Sequence, residues 1–147
     1  MTTNNQIEQL NDILTKCYDA EQGFKQVSEK VDNNNLKEIC ENRSSQRYDF
    51  GHEIKSEIKK LGGEVEKGSS VAAGLHRTWI AIKGALSADG NDTAMLEEII
   101  RGEEETIEEY NEALKKFPAD SSAYQVLTKQ RNTITTMLST IKAMKVS

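Results

Sequence analysis

Two glutamates, Glu21 and Glu103, occupy positions within runs of apolar residues. Glu21 lies between Cys17 and Phe24 in helical spacing, and Glu103 follows Ile100 by three residues. Residues three or four apart share one face of a helix, so both carboxylates are predicted to point into the protein interior. Inward carboxylates on separate helices are the ligands with which helical bundles bind paired iron or manganese ions. The first chemistry to consider is therefore a metal centre.

Three arginines fall on or beside apolar stripes, which are runs of apolar residues in helical spacing, in two other segments of the chain. Arg43 and Arg47 lie on the second stripe, and Arg131 lies near the edge of the last one. A buried charge is costly unless an opposite charge pairs with it, so Glu21 and Glu103 are predicted to be ionised and to pair with arginines. We therefore predict a buried polar network at mid-height made of Glu21, Arg43, Arg47, Glu103 and Arg131.

The count of metal ligands favours arginines over metal. Di-metal bundles add a Glu-x-x-His motif on each of two further helices. The chain has no Glu, Asp or His after residue 120, and its second stripe offers only Asp49-x-x-His52, which is predicted to face away from the core. Two carboxylates cannot hold two metal ions, so we predict no cofactor. The alternative is iron or manganese held by Glu21, Glu103 and a ligand not yet placed.

Apolar residues recur at alternating three- and four-residue steps in four segments, which predicts four long helices. The predicted helices cover Ile7–Val31, Leu36–Leu61, Leu96–Phe117 and Tyr124–Ile141. Gly62 and Gly63 are predicted to end the second helix, and Pro118 to separate the last two. Ser122-x-x-Gln125 matches a capping box at the start of the last helix.

The connection between the second and third helices, residues 62–91, is too long for a hairpin turn. It carries a stripe in helical spacing made of Val71, Leu75, Trp79, Ile82 and Leu86. This predicts a short fifth helix of about 17 residues, ~26 Å long, which returns the chain along the bundle and makes the second and third helices parallel. Four helices with one long crossover have ferritin-like connectivity. The predicted fold is thus an all-α, ferritin-like four-helix bundle in one domain, residues 1–147.

The crossover also holds candidates for contact with a ligand or partner, His76, Arg77 and Trp79. We favour a structural role, in which Trp79 covers the core and the other two bond to nearby acids or helix ends, because an isolated histidine needs partners before it acts as ligand or base. Small residues on another side of this helix, Ala73 and Gly84, suit close approach of a second copy, which predicts a homodimer through the crossover helix.

The overall composition excludes several classes of protein. Nineteen bases against 24 acids give a net charge of −5, so no nucleic-acid partner is predicted. No apolar run approaches the ~20 residues of a membrane span, and the N-terminus lacks the pattern of a signal peptide. Cys17 and Cys40 form no CxxC motif and are predicted to be buried small hydrophobes. These features favour the cytoplasm.

Several motifs together carry a family resemblance. They are Asp19-Ala20-Glu21-Gln22-Gly23-Phe24, Arg47 with Phe50, Leu61-Gly62-Gly63, Gly74-Leu75-His76-Arg77-Thr78-Trp79, and Arg101-Gly102-Glu103 followed by Tyr110. The chain resembles, over nearly its whole length, a family of uncharacterised bacterial four-helix-bundle proteins in the ferritin-like superfamily, known as a domain of unknown function. The resemblance implies the ferritin-like fold and brings no established reaction or substrate.

We therefore expect a non-enzymatic bundle with a structural or interaction role, which its superfamily kinship links to stress responses. The alternative, from a different class, is a metal-binding, di-iron-like oxidoreductase or metal-storage protein that uses Glu21 and Glu103. A third hypothesis is that a small ligand or peptide binds between the crossover helix and the bundle.

Overall fold

A computed structural model describes residues 2–66 and 92–144 of the chain. These residues form four α-helices and no strand: α1 (Thr3–Lys30), α2 (Asn34–Lys60), α3 (Asp92–Leu114) and α4 (Ser122–Ala143). The all-helical class and the four long helices predicted from the apolar periodicity are confirmed. The predicted fifth helix, with His76, Arg77 and Trp79, lies outside the described residues.

Polar side chains begin three of the helices by accepting a hydrogen bond from a backbone N–H in the first turn. Thr2 caps α1 and Asn33 caps α2, where its Oδ1 lies 2.9 Å from the nitrogen of Leu36. The predicted capping box at Ser122 is wrong by one residue. The N-cap of α4 is Ser121, which has an extended backbone and accepts from the N–H of Tyr124 at 3.2 Å.

The end of α2 is a Schellman motif, as the two glycines predicted. Gly62 has a φ of +79°, a left-handed conformation that favours glycine. Its N–H donates to the carbonyl of Lys59, and the N–H of Gly63 donates to that of Ile58 at 2.9 Å. The chain then turns back onto α1, where the Asn11 side chain bonds to the backbone of residues 64 and 66.

Each helix packs against two neighbours: α1 contacts α2 and α3, and α4 contacts α2 and α3. Residue numbers rise on one helix as they fall on its neighbour, so every adjacent pair is antiparallel. The contacts that show this are Glu21–Ser44, Leu14–Gly51, Lys16–Glu109, Asp32–Asp92, Arg43–Met137, Lys60–Ser122, Asn111–Arg131 and Glu104–Lys142.

It follows that α2 and α3 lie diagonally across the bundle and run parallel, as predicted. The end of α2 lies beside the start of α4, where Lys60 contacts Ser122 at 3.2 Å. The start of α3 lies at the other end, where Asp92 contacts the turn between α1 and α2. The chain between α2 and α3 therefore connects opposite ends of a bundle about 35 Å long.

Among residues 2–66 and 92–144, the buried apolar side chains form two clusters. One lies towards the end of α2 and includes Leu14, Ile58, Tyr110 and Leu127. The other lies towards the turn between α1 and α2 and is made of Ala20, Phe24, Val27, Val31, Leu36, Cys40, Met95, Leu96, Ile99, Ile100, Leu138 and Ile141. Charged side chains on α2 and α3 separate the two clusters, and these side chains form the candidate site.

Candidate functional site: a buried polar layer

The centre of the bundle holds an ion pair between α2 and α3. The Nη2 atom of Arg47 lies 2.5 Å from Oε2 of Glu103, and the two side chains are 2% and 1% exposed. Because α2 and α3 are diagonal, these two side chains meet across the middle of the bundle. We call them the central ion pair; it is the part of the predicted network in which an arginine and a glutamate are in direct contact.

Two features stabilise the charge of Arg47 at this depth. Burial lowers its pKa, but attraction to Glu103 and the hydrogen bond to it outweigh burial, so the pKa is raised. The guanidinium carbon also lies 5.4 Å from the centre of the Phe24 ring, a distance suited to a cation–π interaction. Arg47 therefore stays protonated in the core.

Arg43 lies one helical turn before Arg47 and is also buried, 4% exposed. Its guanidinium donates to the carbonyl of Met137 on α4 at 3.5 Å. Burial lowers the pKa of Arg43; attraction to Glu103 opposes this, and repulsion from Arg47 adds to it. Arg43 thus belongs to the same layer but contacts α4 rather than a carboxylate.

A chain of hydrogen bonds extends the layer from the core to the surface. The Tyr110 hydroxyl donates to Oε1 of Gln130 at 2.8 Å, and Nε2 of Gln130 donates to the exposed Glu53 at 2.8 Å and to the carbonyl of Phe50 at 3.2 Å. The Cys17 sulfur lies 3.8 Å from the Tyr110 oxygen. Burial raises the pKa of Cys17 to about 11 and that of Tyr110 well above its usual value, so both groups are neutral.

The other two predicted members lie away from the central ion pair. Glu21 is half-buried at the predicted height, and the contact made there is between its backbone carbonyl and the Ser44 hydroxyl, at 2.8 Å. Arg131 is half-buried and donates to the Asn111 side chain at 3.0 Å. Asn111 lies eight residues, about 12 Å, along α3 from Glu103, which is too far for a direct pair.

Sequence reasoning missed Gln130, and its position explains why Arg131 was chosen in its place. Gln130 lies three residues after Leu127 and four before Ile134, so it occupies the inward position of α4. Arg131 is rotated by about 100° from it. Sequence reasoning also missed Glu57, which is buried and accepts from Lys60 at 2.9 Å and from the Ser122 hydroxyl at 3.0 Å.

The residues around the central ion pair do not fit a di-metal site. Glu103 is in contact with the guanidinium of Arg47, and it also attracts a second guanidinium, that of Arg43. Within residues 2–66 and 92–144, no group of three or more His, Cys, Asp or Glu could hold a metal ion. A di-metal site needs several anionic oxygen or imidazole donors, whereas the carboxylate at the centre of this layer, that of Glu103, already contacts a guanidinium.

A cavity of about 620 Å³ lies along α4, on the side away from the core. Its described lining includes Tyr124, Thr128, Lys129, Thr133 and Met137. The hydroxyls, the amide groups and the single ammonium of this lining form no acid–base pair. The buried polar layer is therefore the stronger candidate for a functional site.

The geometry defines a class of protein: an all-helical bundle with a buried salt bridge at its centre. Residues 5–116, which include most of α1 and the whole of α2 and α3, match the family model described as Domain of unknown function (DUF2383), and the chain belongs to that family. No curated protein matches the chain. None of the four described helices is long and apolar enough to cross a membrane.

Proposed function

We propose that this protein is a non-enzymatic, ferritin-like bundle with a structural or interaction role, in which the central ion pair takes the place of a metal centre. The observation that carries the proposal is the contact between Arg47 and Glu103. In carboxylate metalloproteins of this architecture, metal ions join the helices across the core. Here the guanidinium of Arg47 makes that connection between the two diagonal helices.

The arrangement of the helices supports the ferritin-like assignment. Four helices with antiparallel neighbours, a parallel diagonal pair and a connection between opposite ends fit a bundle with one long crossover. The central ion pair supports the absence of a metal site, because Arg47 already binds the carboxylate of Glu103 that a metal ion would need.

The state of the buried groups supports a role without catalysis. A cysteine acts as a nucleophile, and a tyrosine as a general base, in the deprotonated form, and the raised pKa values of Cys17 and Tyr110 keep both protonated near neutral pH. The two cysteines, Cys17 and Cys40, are free thiols, which suits the reducing cytoplasm. A link to stress responses is part of the proposal and rests only on the proposed ferritin-like kinship.

The partner that we propose is a second copy of the chain, bound through the predicted crossover helix with His76, Arg77 and Trp79. Light scattering coupled to size-exclusion chromatography measures this directly. We expect the mass of a dimer, and a Gly84→Glu variant should shift it to that of a monomer. A strictly monomeric wild-type protein would remove the dimer from the proposal without affecting the role of the central ion pair.

Metal analysis tests the proposal against its alternative, an iron- or manganese-binding oxidoreductase or storage protein. The protein is purified from cells supplied with both metals, together with the variants Glu103→Gln and Glu104→Gln. Glu104 is exposed and pairs with Lys142, so its variant controls for metal on the acidic surface. We expect less than one metal ion per ten chains in all three. Stoichiometric metal that Glu103→Gln loses and Glu104→Gln keeps would defeat the proposal.

A further inference from the structure

Four buried polar atoms of the central layer have no hydrogen-bond partner. Among the residues that the structure describes, the buried side-chain N and O atoms without a partner number five. Four of them belong to this layer: Nε of Arg43, Oε1 of Gln46, Nε of Arg47 and Oε1 of Glu103. A buried polar group without a partner is destabilising and uncommon in folded proteins, so such a concentration in one layer needs a physical explanation.

The four atoms belong to two pairs of residues that share a contact, and each pair of residues carries one unpartnered donor and one unpartnered acceptor. Arg43 and Gln46 both contact Met137, the first through its carbonyl and the second through its sulfur, which leaves Nε of Arg43 and Oε1 of Gln46. Arg47 and Glu103 contact each other through Nη2 and Oε2, which leaves Nε of Arg47 and Oε1 of Glu103. Each pair thus offers an N–H that needs an acceptor and an oxygen that needs a donor.

The chemistry of these atoms selects the ligand. A cation would be repelled by the two guanidinium groups, and an anion would face the free oxygen of the Glu103 carboxylate. A ligand for either pair must accept one hydrogen bond and donate another while carrying no charge. The geometry points to an internal hydration site, in which each pair holds an ordered water molecule that accepts from the arginine Nε and donates to the neighbouring oxygen.

Bound water also explains how the ion pair exists in the core. A buried water molecule usually makes about three hydrogen bonds to groups that would otherwise lack partners. Such bonds would reduce the desolvation cost of Arg47 and Glu103 further than their direct contact does. The inference concerns the site of the proposed function and rests on it only in that no metal ion binds Glu103.

Magnetic relaxation dispersion of water ¹⁷O counts long-lived internal water molecules in the folded protein in solution. We expect at least two in the wild type. The double variant Arg47→Met/Glu103→Met should lose one, and Arg43→Met/Gln46→Leu should lose the other. The control Glu112→Met/Lys115→Met removes an exposed ion pair and should lose none. Circular dichroism establishes that each variant keeps its helices.

A wild-type protein without long-lived water would overturn the inference, and so would a loss of water in the control variant alone. A crystal structure that resolves ordered solvent gives an answer even where a variant does not fold. Water within hydrogen-bond distance of Nε of Arg47 and Oε1 of Glu103 supports the site, whereas direct contact between these atoms contradicts it.

Crystals soaked in bromide test for an anion instead of water, because an anomalous peak at this position would mean an anion site and would contradict the inference. Water loss and metal content are separate readouts, so the hydration site and the proposed function can fail independently.

Discussion

The carboxylate of Asp92 lies 2.8 Å from the backbone nitrogen of Asn33. Asn33 caps α2, and Asp92 begins α3, so this contact fixes the start of the third helix against the turn between the first two. Asp92 also accepts from the N–H of Asp32 at 3.2 Å. The contact therefore places α3 at the opposite end of the bundle from the end of α2.

Replacing Asp92 with alanine should lower the free energy of unfolding by about 1–2 kcal/mol, because two backbone N–H groups lose a charged acceptor and the N-terminus of α3 loses a negative charge. Urea denaturation followed by circular dichroism measures this. Glu97→Ala, on an exposed position of the same helix, is the control and should change stability by less than about 0.5 kcal/mol. Equal effects of the two substitutions would contradict the assigned role of Asp92.

Gly51 lies within α2 at a position that has room for a side chain. A Cβ atom there would lie 3.5 Å from the Leu14 side chain and 3.8 Å from that of Cys17, which are ordinary contact distances. Alanine also has a higher helix propensity than glycine. We therefore predict that Gly51→Ala raises the free energy of unfolding by about 0.5–1 kcal/mol, measured by urea denaturation; a destabilised variant would show that α1 and α2 pack more tightly than described.

Gly63 gives the opposite prediction. A Cβ atom there would lie 2.6 Å from Cγ2 of Ile7 and within 2.9 Å of two more of its carbons. Ile7 is branched at Cβ and half-buried, so it cannot move away without repacking. Gly63→Ala should lower the melting temperature, and the same substitution in an Ile7→Ala background, which lacks all three of these carbons, should lower it less, so that part of the loss is recovered. If the melting temperature does not recover, contact with Ile7 is not the cause of the destabilisation.

Removal of the Tyr110 hydroxyl should show the cost of an incomplete polar layer. Tyr110→Phe leaves Oε1 of Gln130 buried without its donor, which costs about 1–3 kcal/mol. Tyr48→Phe is the matched control, since Tyr48 is 53% exposed and should change stability little. Thermal denaturation of the two variants gives the comparison, and an unchanged Tyr110→Phe protein would mean that the hydroxyl does not hold Gln130.

The cysteines predict a loss of stability at alkaline pH. Burial raises the pKa of Cys17 to about 11 and that of Cys40 to about 12, against 9.0 for an exposed thiol. Above pH 9 the unfolded chain loses these protons while the folded chain keeps them. The stability that the two protonated thiols contribute is therefore complete below pH 9 and is lost as pH rises through 11 to 12. Urea denaturation at stepwise increasing pH measures this. The free energy of unfolding should fall more steeply with pH for the wild type than for Cys17→Ala/Cys40→Ala. Parallel curves would contradict the burial of both thiols.

The helices could be predicted because apolar periodicity and helix-stop residues are local signals. Gly62 follows the end of α2 as predicted, because glycine adopts the left-handed conformation that ends a helix more readily than other residues do. The error at the start of α4 is of the same local kind: Ser121 and Ser122 are adjacent serines, and the choice of cap depends on which one has the extended backbone. Sequence does not distinguish them.

The polar layer could be predicted in part. Arg47 and Glu103 lie well inside their stripes, and the cost of a buried charge predicted that each would have a partner of opposite charge, but not that the two would pair with each other. Arg131 lies near the edge of its stripe, and both it and Glu21, which was expected to point inward, are half-buried, because a rotation of the helix by a few tens of degrees decides between core and surface. That rotation, and the register between α3 and α4, depend on tertiary packing, which periodicity along one helix does not contain.

A double-mutant cycle on Arg47 and Glu103 tests most directly whether the ion pair holds the centre of the bundle. Arg47→Met and Glu103→Met should each cost about 3–5 kcal/mol, because each leaves a buried charge without its partner. The double variant should cost much less than their sum, since no charge remains. Glu21→Gln, at the half-buried position, should have a small effect. Single costs that add in the double variant, or single variants as stable as wild type, would contradict this account.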